Sequence, residues 1–256
     1  MYHHVSPAPG LVTVSPENFR AQMAWLARRG YTGVGAAAVA DFLAGRPLPE
    51  KSIVISFDDG WRDNWAYAHP VLMEFGLHAL LFLVTGWAGE GATRDDSPIL
   101  DHRACKAAVT TGRSDDVVLR WSEVEAMEAA GSFEVHSHTH THTRWDKQLP
   151  AGETRDQALA EDLAASRDAL ASRLGRRDPH LCWPQGYYDT DYIRIAQATC
   201  FSHLYTTEHR IAEPGSDPLR IGRQVVKDKG ELWFGTRLAL WRRPALAGFY
   251  EAVKGK

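Results

Sequence analysis

Cysteine is scarce in this chain: Cys105, Cys182 and Cys200 are odd in number, widely spaced and in no CxxC arrangement. That excludes a disulfide framework and a thiolate-held structural zinc site. No stretch approaches eighteen apolar residues, so no transmembrane helix is expected. The opening residues, Met1-Tyr2-His3-His4-Val5-Ser6-Pro7, have neither a charged n-region nor an apolar core. The expectation is therefore a chain without a signal peptide, cytoplasmic in location. A basic excess is missing as well, the net charge being −3, which argues against a nucleic-acid partner. Repeats, low-complexity tracts and linkers are also lacking, and one domain over residues 1–256 is predicted.

What is present is more specific. Hydrophobic residues make up 44% and charged residues 24%, ordinary for a globular protein, and 256 residues suit one α/β barrel. Twelve His and nine Trp are generous for this length, pointing to metal or proton chemistry and to flat apolar platforms of the kind sugars use. Two segments stand out: Ser56-Phe57-Asp58-Asp59-Gly60, and His136-Ser137-His138-Thr139-His140-Thr141-His142. Together they offer metal ligands and a spare carboxylate to serve as a base, the needs of a metal-dependent hydrolase.

The order of elements reads β-α-β-α. Ser15 and Pro16 open a helix over 15–29 that Gly30 stops. Ser52 to Phe57 reads as a buried strand of a parallel sheet, which puts Asp58 and Asp59 at its C-terminal end, where α/β enzymes place their chemistry. A helix over 65–75 with Pro70 near its start, a strand over 78–85, and an insertion or long loop over 88–118 with a short helix near 99–108 follow. Ser122 and Glu125 suggest a capping box opening a helix that ends at Gly131. Phe133-Glu134-Val135 is a strand delivering the histidines, and 154–174 an amphipathic helix with Leu159, Leu163, Leu170 and Leu174 on one face. A strand into Trp183-Pro184-Gln185-Gly186, a helix over 190–199 and a strand near 204–206 complete the pattern.

Neighbouring carboxylates at a strand end diverge unless the chain turns there, and Gly60 permits that turn. One carboxylate can then bind a metal while the other stays free as a base. The histidines form two i, i+4 pairs, His138/His142 and His136/His140, either of which could converge on one ion.

These segments, followed by Trp183-Pro184-Gln185-Gly186, resemble the polysaccharide deacetylases of the NodB-homology type, carbohydrate esterase family 4, over roughly residues 1–225. The resemblance implies a distorted (β/α) barrel and hydrolysis of N-acetyl groups from amino sugars with a divalent metal, usually Zn2+. It makes Asp58 the catalytic base and Asp59 the carboxylate ligand. His138 and His142 become the imidazole ligands, because family members usually have Ser-His-Thr where Ser137-His138-Thr139 stands. The backbone N–H of Gln185 would help hold the oxyanion. The arginine that often precedes this last segment is replaced by Leu181-Cys182-Trp183, leaving Arg220 or Arg223 to orient the base. The usual C-terminal Leu-x-x-His is absent. Tyr2-His3-His4-Val5 instead resembles the subgroup with an early Tyr-His, which makes His3 the candidate acid and His4 the alternative.

Trp61, Trp145, Trp183 and Tyr187 are the candidate sugar-binding aromatics. The basic, aromatic segment within 231–256 either rests peripherally on the inner face of a membrane or packs on its own barrel. The expected partner is an N-acetylated sugar or glycan precursor, and no oligomeric state is implied. A deformylase, an O-deacetylase and a non-catalytic carbohydrate-binding relative are the competing readings.

Overall fold

The structure, a computed structural model, describes residues 1–243. The chain opens with β1 (His4–Val5) and β2 (Thr13–Val14), a parallel pair, and then α1 (Pro16–Arg28). Ser15 Oγ accepts the Asn18 N–H and Pro16 sits in the first turn of α1, as the sequence predicts. Next come β3 (Thr32–Gly33), α2 (Ala36–Leu43), β4 (Ser52–Ile53) and β5 (Ile55–Asp59). They are followed by α3 (His69–Phe75), β6 (Ala79–Leu83), α4 (His102–Thr110), α5 (Trp121–Ala129) and β7 (Phe133–Ser137). The rest comprises α6 (Trp145–Gln148), α7 (Glu153–Leu174), β8 (His180–Cys182), α8 (Thr190–Ala198), β9 (His203–Tyr205) and α9 (Glu231–Trp241).

Strands β5-β6-β7-β8-β9 form a parallel sheet in that order. Its second strand, β6, is apolar throughout because both of its faces are covered. On β6, Ala79, Leu81 and Leu83 point outward to α1, α3 and α5, whereas Leu80 and Phe82 point inward to Ala36, Val39 and Leu43 of α2. The sheet curls into a half-barrel, and irregular chain completes the circuit. Ile221 N–H donates to Leu204 O beside β9, Val226 N–H to Met1 O, and Tyr2 N–H to Ser56 O on β5.

Three local expectations shift. The strand expected over 52–57 is two, because β4 pairs with β3 and β5 with β6, and the chain changes sheets at the exposed Val54. The helix over 65–75 begins with a wide turn at 64–68 ahead of α3, since Pro70 brings no N–H to its first turn. The capping box at Ser122 and Glu125 moves back: Glu123 accepts the Arg120 N–H at 2.9 Å while also binding Arg94, so α5 starts at Trp121. Of the two readings of the C-terminal segment, α9 packs on α1 through buried Phe234 and Leu238. A Cβ at Gly235 would meet the Trp25 ring at 2.6 Å. Residues 244–256 of that segment lie outside the described residues.

Inside the half-barrel, β7 turns Glu134 and His136 toward a polar layer. His136 Nδ1 lies 2.8 Å from Asp178 Oδ2, and its Nε2 faces Glu134 Oε1 at 3.5 Å. Glu134 also accepts the Ala36 N–H at the start of α2. Burial disfavours the imidazolium, but the Asp178 and Glu134 carboxylates outweigh it and push His136 up to about 9. Beside it, burial and then the His136 charge push His180 down to about 3. A folded-state value above the unfolded 6.5 means the His136 contribution is fully present below pH 6.5 and is lost as pH rises through 9. Thermal unfolding followed from pH 6 to 9.5 is expected to show Tm falling on the order of 5 °C in the wild type, and a flatter profile in His136→Gln.

Candidate active site

The pleat of β5 sends Ile55 and Phe57 outward and Ser56 and Asp58 inward. Asp59 leaves that alternation: its φ is 74°, Gly60 follows at 85°, and both carboxylates come to the C-terminal rim. Glycine is needed at 60 for space as well, since a Cβ would meet Leu83 Cδ1 at 2.3 Å. Asp59 Oδ1 lies 3.4 Å from His138 Nε2 and 3.3 Å from His142 Nε2, and its Oδ2 accepts the Trp61 indole N–H at 2.9 Å. Cys182 O, 2.8 Å from His138 Nδ1, can only accept, so Nδ1 carries a proton and Nε2 is the nitrogen left to face Asp59. Burial lowers His142, keeping it a neutral imidazole. Burial opposes ionisation of Asp59, but the two imidazoles hold it well below the usual carboxylate range. A carboxylate and two imidazole nitrogens converging with these orientations fit a divalent cation.

The histidine loop is held in a strained shape. Thr139 and His142 have φ of 66° and 61°, left-handed values that cost about 1 kcal/mol or more each outside glycine. Thr139 Oγ1 accepts the His142 N–H at 3.0 Å. From α7, buried Asp162 accepts the N–H groups of His140 and Thr141, the Thr141 hydroxyl and the Trp145 indole N–H, all within 3.0 Å. His140 turns to Thr85 Oγ1, and His136 faces Asp178. The pair brought to Asp59 is thus His138/His142, while His136/His140 is kept apart by the strand pleat and the loop.

Asp58 is gripped by an arginine from the segment that closes the barrel. Arg223 Nη1 and Nη2 donate to its two carboxylate oxygens at 2.6 and 2.8 Å. Burial would raise Asp58, but the guanidinium outweighs it and holds the carboxyl at about 2. This fills the place of the missing upstream arginine; Arg220 instead binds Tyr188 and Glu208. Asp58 could also group with His138 and Cys182 around an ion. Both its oxygens are committed to Arg223, and burial raises the Cys182 thiol, so the Asp59 set is the better donor set.

The chain beside β5 distributes its side chains by alternation too. Tyr2 stacks outward on Phe57 at 5.2 Å between centroids, and Tyr2 O accepts the Asp58 N–H. His3 therefore turns inward, its Nε2 3.9 Å from Asp58 Oδ2. His4 turns away into a buried pair with Asp63, Nδ1 to Oδ2 2.6 Å, so the alternative acid is not at the carboxylate. On the third motif, Gln185 has a φ of 55° inside the tight turn Pro184–Gly186, and among the described residues its N–H meets no protein acceptor.

The aromatic expectations need correction. Trp61 and Trp183 are fully buried and show no ring face to a sugar. Trp61 is occupied in binding Asp59, and Trp183 packs in the core between α7 and α8. Trp145 is half-buried with its N–H tied to Asp162, and Tyr187 is half-buried under the Arg144 guanidinium at 4.0 Å. A half-buried aromatic beside the Asp59, His138 and His142 cluster is Trp87, 5.1 Å from His142. Its place just after the C-terminal end of β6 was the available signal. Asp162 carried none, being one acid among many on a long helix.

Comparison with known proteins agrees with this geometry. Residues 45–202 match the family profile of the polysaccharide deacetylases. Poly-beta-1,6-N-acetyl-D-glucosamine N-deacetylase of Staphylococcus aureus (strain MSSA476) is 21% identical over 216 residues, 84% of this chain and 68% of that protein. The enzyme of the same name from Escherichia coli (strain K12) is 33% identical over 84 residues, 32% of this chain but only 12% of that protein. A Bacillus subtilis (strain 168) relative, YxkH, is 36% identical over a stretch that spans 30% of its length. Among solved structures, IcaB from Ammonifex degensii superposes with a TM-score of 0.74 at 26% identity, covering 94% of this chain and 95% of its own. The Streptococcus pyogenes deacetylase PplD gives 0.72 at 21% identity, covering 90% and 91%, and shares the fold. With a half-barrel of parallel strands and a profile match over most of its length, the chain belongs to the polysaccharide deacetylase family.

Proposed function

We propose that this protein is a divalent-metal-dependent N-deacetylase that hydrolyses the acetamide of an N-acetylated amino sugar in a glycan or glycan precursor. The observation that carries this reading is the convergence of Asp59, His138 and His142 beside a separately held, ionised Asp58. Relatives named for poly-β-1,6-N-acetylglucosamine deacetylation support it and make that linkage the first to try.

An ion held by Asp59, His138 and His142, most simply Zn2+ for a two-imidazole, one-carboxylate set, would supply Lewis acidity and lower the pKa of a water from 15.7 to about 7. The protein groups divide the remaining work. Asp58, kept anionic and aimed by Arg223, accepts the proton of the attacking water as its oxygen bonds to the acetamide carbon. The Gln185 N–H donates to the oxyanion that develops on the carbonyl oxygen; one such donor is worth about 10²–10³ in rate. His3, next to Asp58, gives a proton to the nitrogen as the C–N bond breaks, leaving acetate and an amine. Intact members of this set disfavour the non-catalytic reading, and no feature of the site favours a formyl or O-acetyl group. We assign the work to the cytoplasm, and any peripheral contact with the inner face of a membrane would use the outward side of α9, where Leu232 is exposed.

Acetate release from β-1,6-linked N-acetylglucosamine oligomers, assayed with zinc and after chelation, tests the reaction. Metal-dependent acetate is expected, and its absence with every divalent metal would overturn the assignment. Asp58→Asn and His3→Phe should each lower kcat by roughly 10²–10⁴ while zinc still binds; full turnover in either would remove that residue from its role. Asp162→Ala should weaken zinc affinity about 10–100-fold by freeing the histidine loop, as measured by competition with a chromogenic chelator.

A further inference from the structure

The stretch between β6 and α5 carries α4, whose N-terminal turn is tied to the ligand cluster. Buried Asp63 takes His4 Nδ1 at 2.6 Å, and His4 Nε2 lies 3.1 Å from His102 Nδ1 on α4. The His4 ring stacks on Trp61 at 4.8 Å, and the His102 ring meets Trp61 edge-on at 5.8 Å. Trp61 is the side chain that binds Asp59, so the position of α4 is referred directly to the site. Burial and the neighbouring His4 push His102 down to about 4, leaving it neutral at pH 7.

One turn along, at i+4, Lys106 shares the face of His102. Its Nζ stands 5.4 Å from the centroid of Trp87, the ring that borders His142. Its charge lowers both His102 and His142. Among the described residues Lys106 has no carboxylate in ion-pair contact, whereas the other cations near the site are matched: Arg223 by Asp58, Arg144 by Asp146, Arg62 by Asp96.

We propose that Lys106 sets the charge that the site accepts next to the scissile acetamide. It admits a neutral or anionic neighbouring sugar and turns away a neighbouring free amino sugar. The inference rests on the deacetylase reading above. Each turnover converts a neutral acetamide into an amine, an ammonium at neutral pH. An unpaired lysine beside the site therefore disfavours a second cut next to the first. Like charges several ångströms apart at a partly wet site change affinity on the order of tenfold.

The test uses three trimers whose central N-acetylglucosamine is flanked by N-acetylglucosamine, glucosamine or glucuronate, with the full chain loaded with zinc. The expected wild-type kcat/KM for acetate release is roughly tenfold lower beside glucosamine than beside N-acetylglucosamine, and 0.5 M salt should erase the difference. Lys106→Met keeps the stem over Trp87 and should abolish the preference, while Lys106→Arg should keep it. Because the readout is a ratio, general damage to the enzyme cancels. An unchanged ratio in Lys106→Met overturns the proposal. If the wild type releases no acetate from any trimer, the deacetylase reading fails. Charge selection is then read from trimer binding by tryptophan fluorescence, where equal wild-type affinities overturn it and a preference lost in Lys106→Met sustains it.

Discussion

The rest of the site depends on the buried ion pair between Asp58 and Arg223. Each partner loses hydration worth several kcal/mol on burial, and only a bidentate geometry with satisfied neighbours returns it. That geometry exists because Arg223 also donates to Thr206 O from its Nε, which fixes the plane of the fork. The two residues are 165 positions apart in sequence. Their contact therefore joins β5 to the chain leaving β9, and the bond that closes the barrel is the bond that keeps Asp58 charged. A fold and an active site that share one interaction cannot be loosened separately.

A second constraint is conformational. Asp59, Thr139, His142 and Gln185 all adopt positive φ, and all four belong to the three motifs. Strain of this kind persists only where surrounding contacts determine the shape. Trp61 holds Asp59, the Thr139 hydroxyl and Asp162 hold the histidine loop, and the Gly186 N–H bonded to Trp183 O holds the turn at Gln185. The turn that exposes each functional group is thus fixed by a neighbour that does no chemistry itself.

This division explains what was legible in the sequence. Short continuous apolar runs placed β5 and β6, Phe133-Glu134-Val135 placed β7, and leucine spacing placed α7, because those signals are local. The adjacent aspartates and clustered histidines were equally local. Arg223 could be named only as one of two candidates, since the choice depends on a segment without regular structure. The tryptophans misled because sequence shows that a ring is near a motif but not which way it faces: Trp61 turns its N–H to Asp59 and its faces to His4 and Trp87. Pairing of His138 with His142 rather than His136 with His140 likewise follows from the pleat, which sends His136 into the polar layer before the loop begins.

The placement of His3 beside Asp58 has a physical rationale in the closure of the barrel. Tyr2 pairs with Ser56 and Asp58 as an extra edge beside β5, and Val226 pairs with Met1 on its other side. The residue after Tyr2 must therefore turn inward at the level of Asp58, whatever precedes or follows it in sequence. A side chain delivered from this edge reaches Asp58 as directly as one delivered from a later strand would, because the circuit brings Met1 and Val226 to the same seam. Chain order is free to vary so long as the seam stays closed, and Arg223 is what holds it next to Asp58.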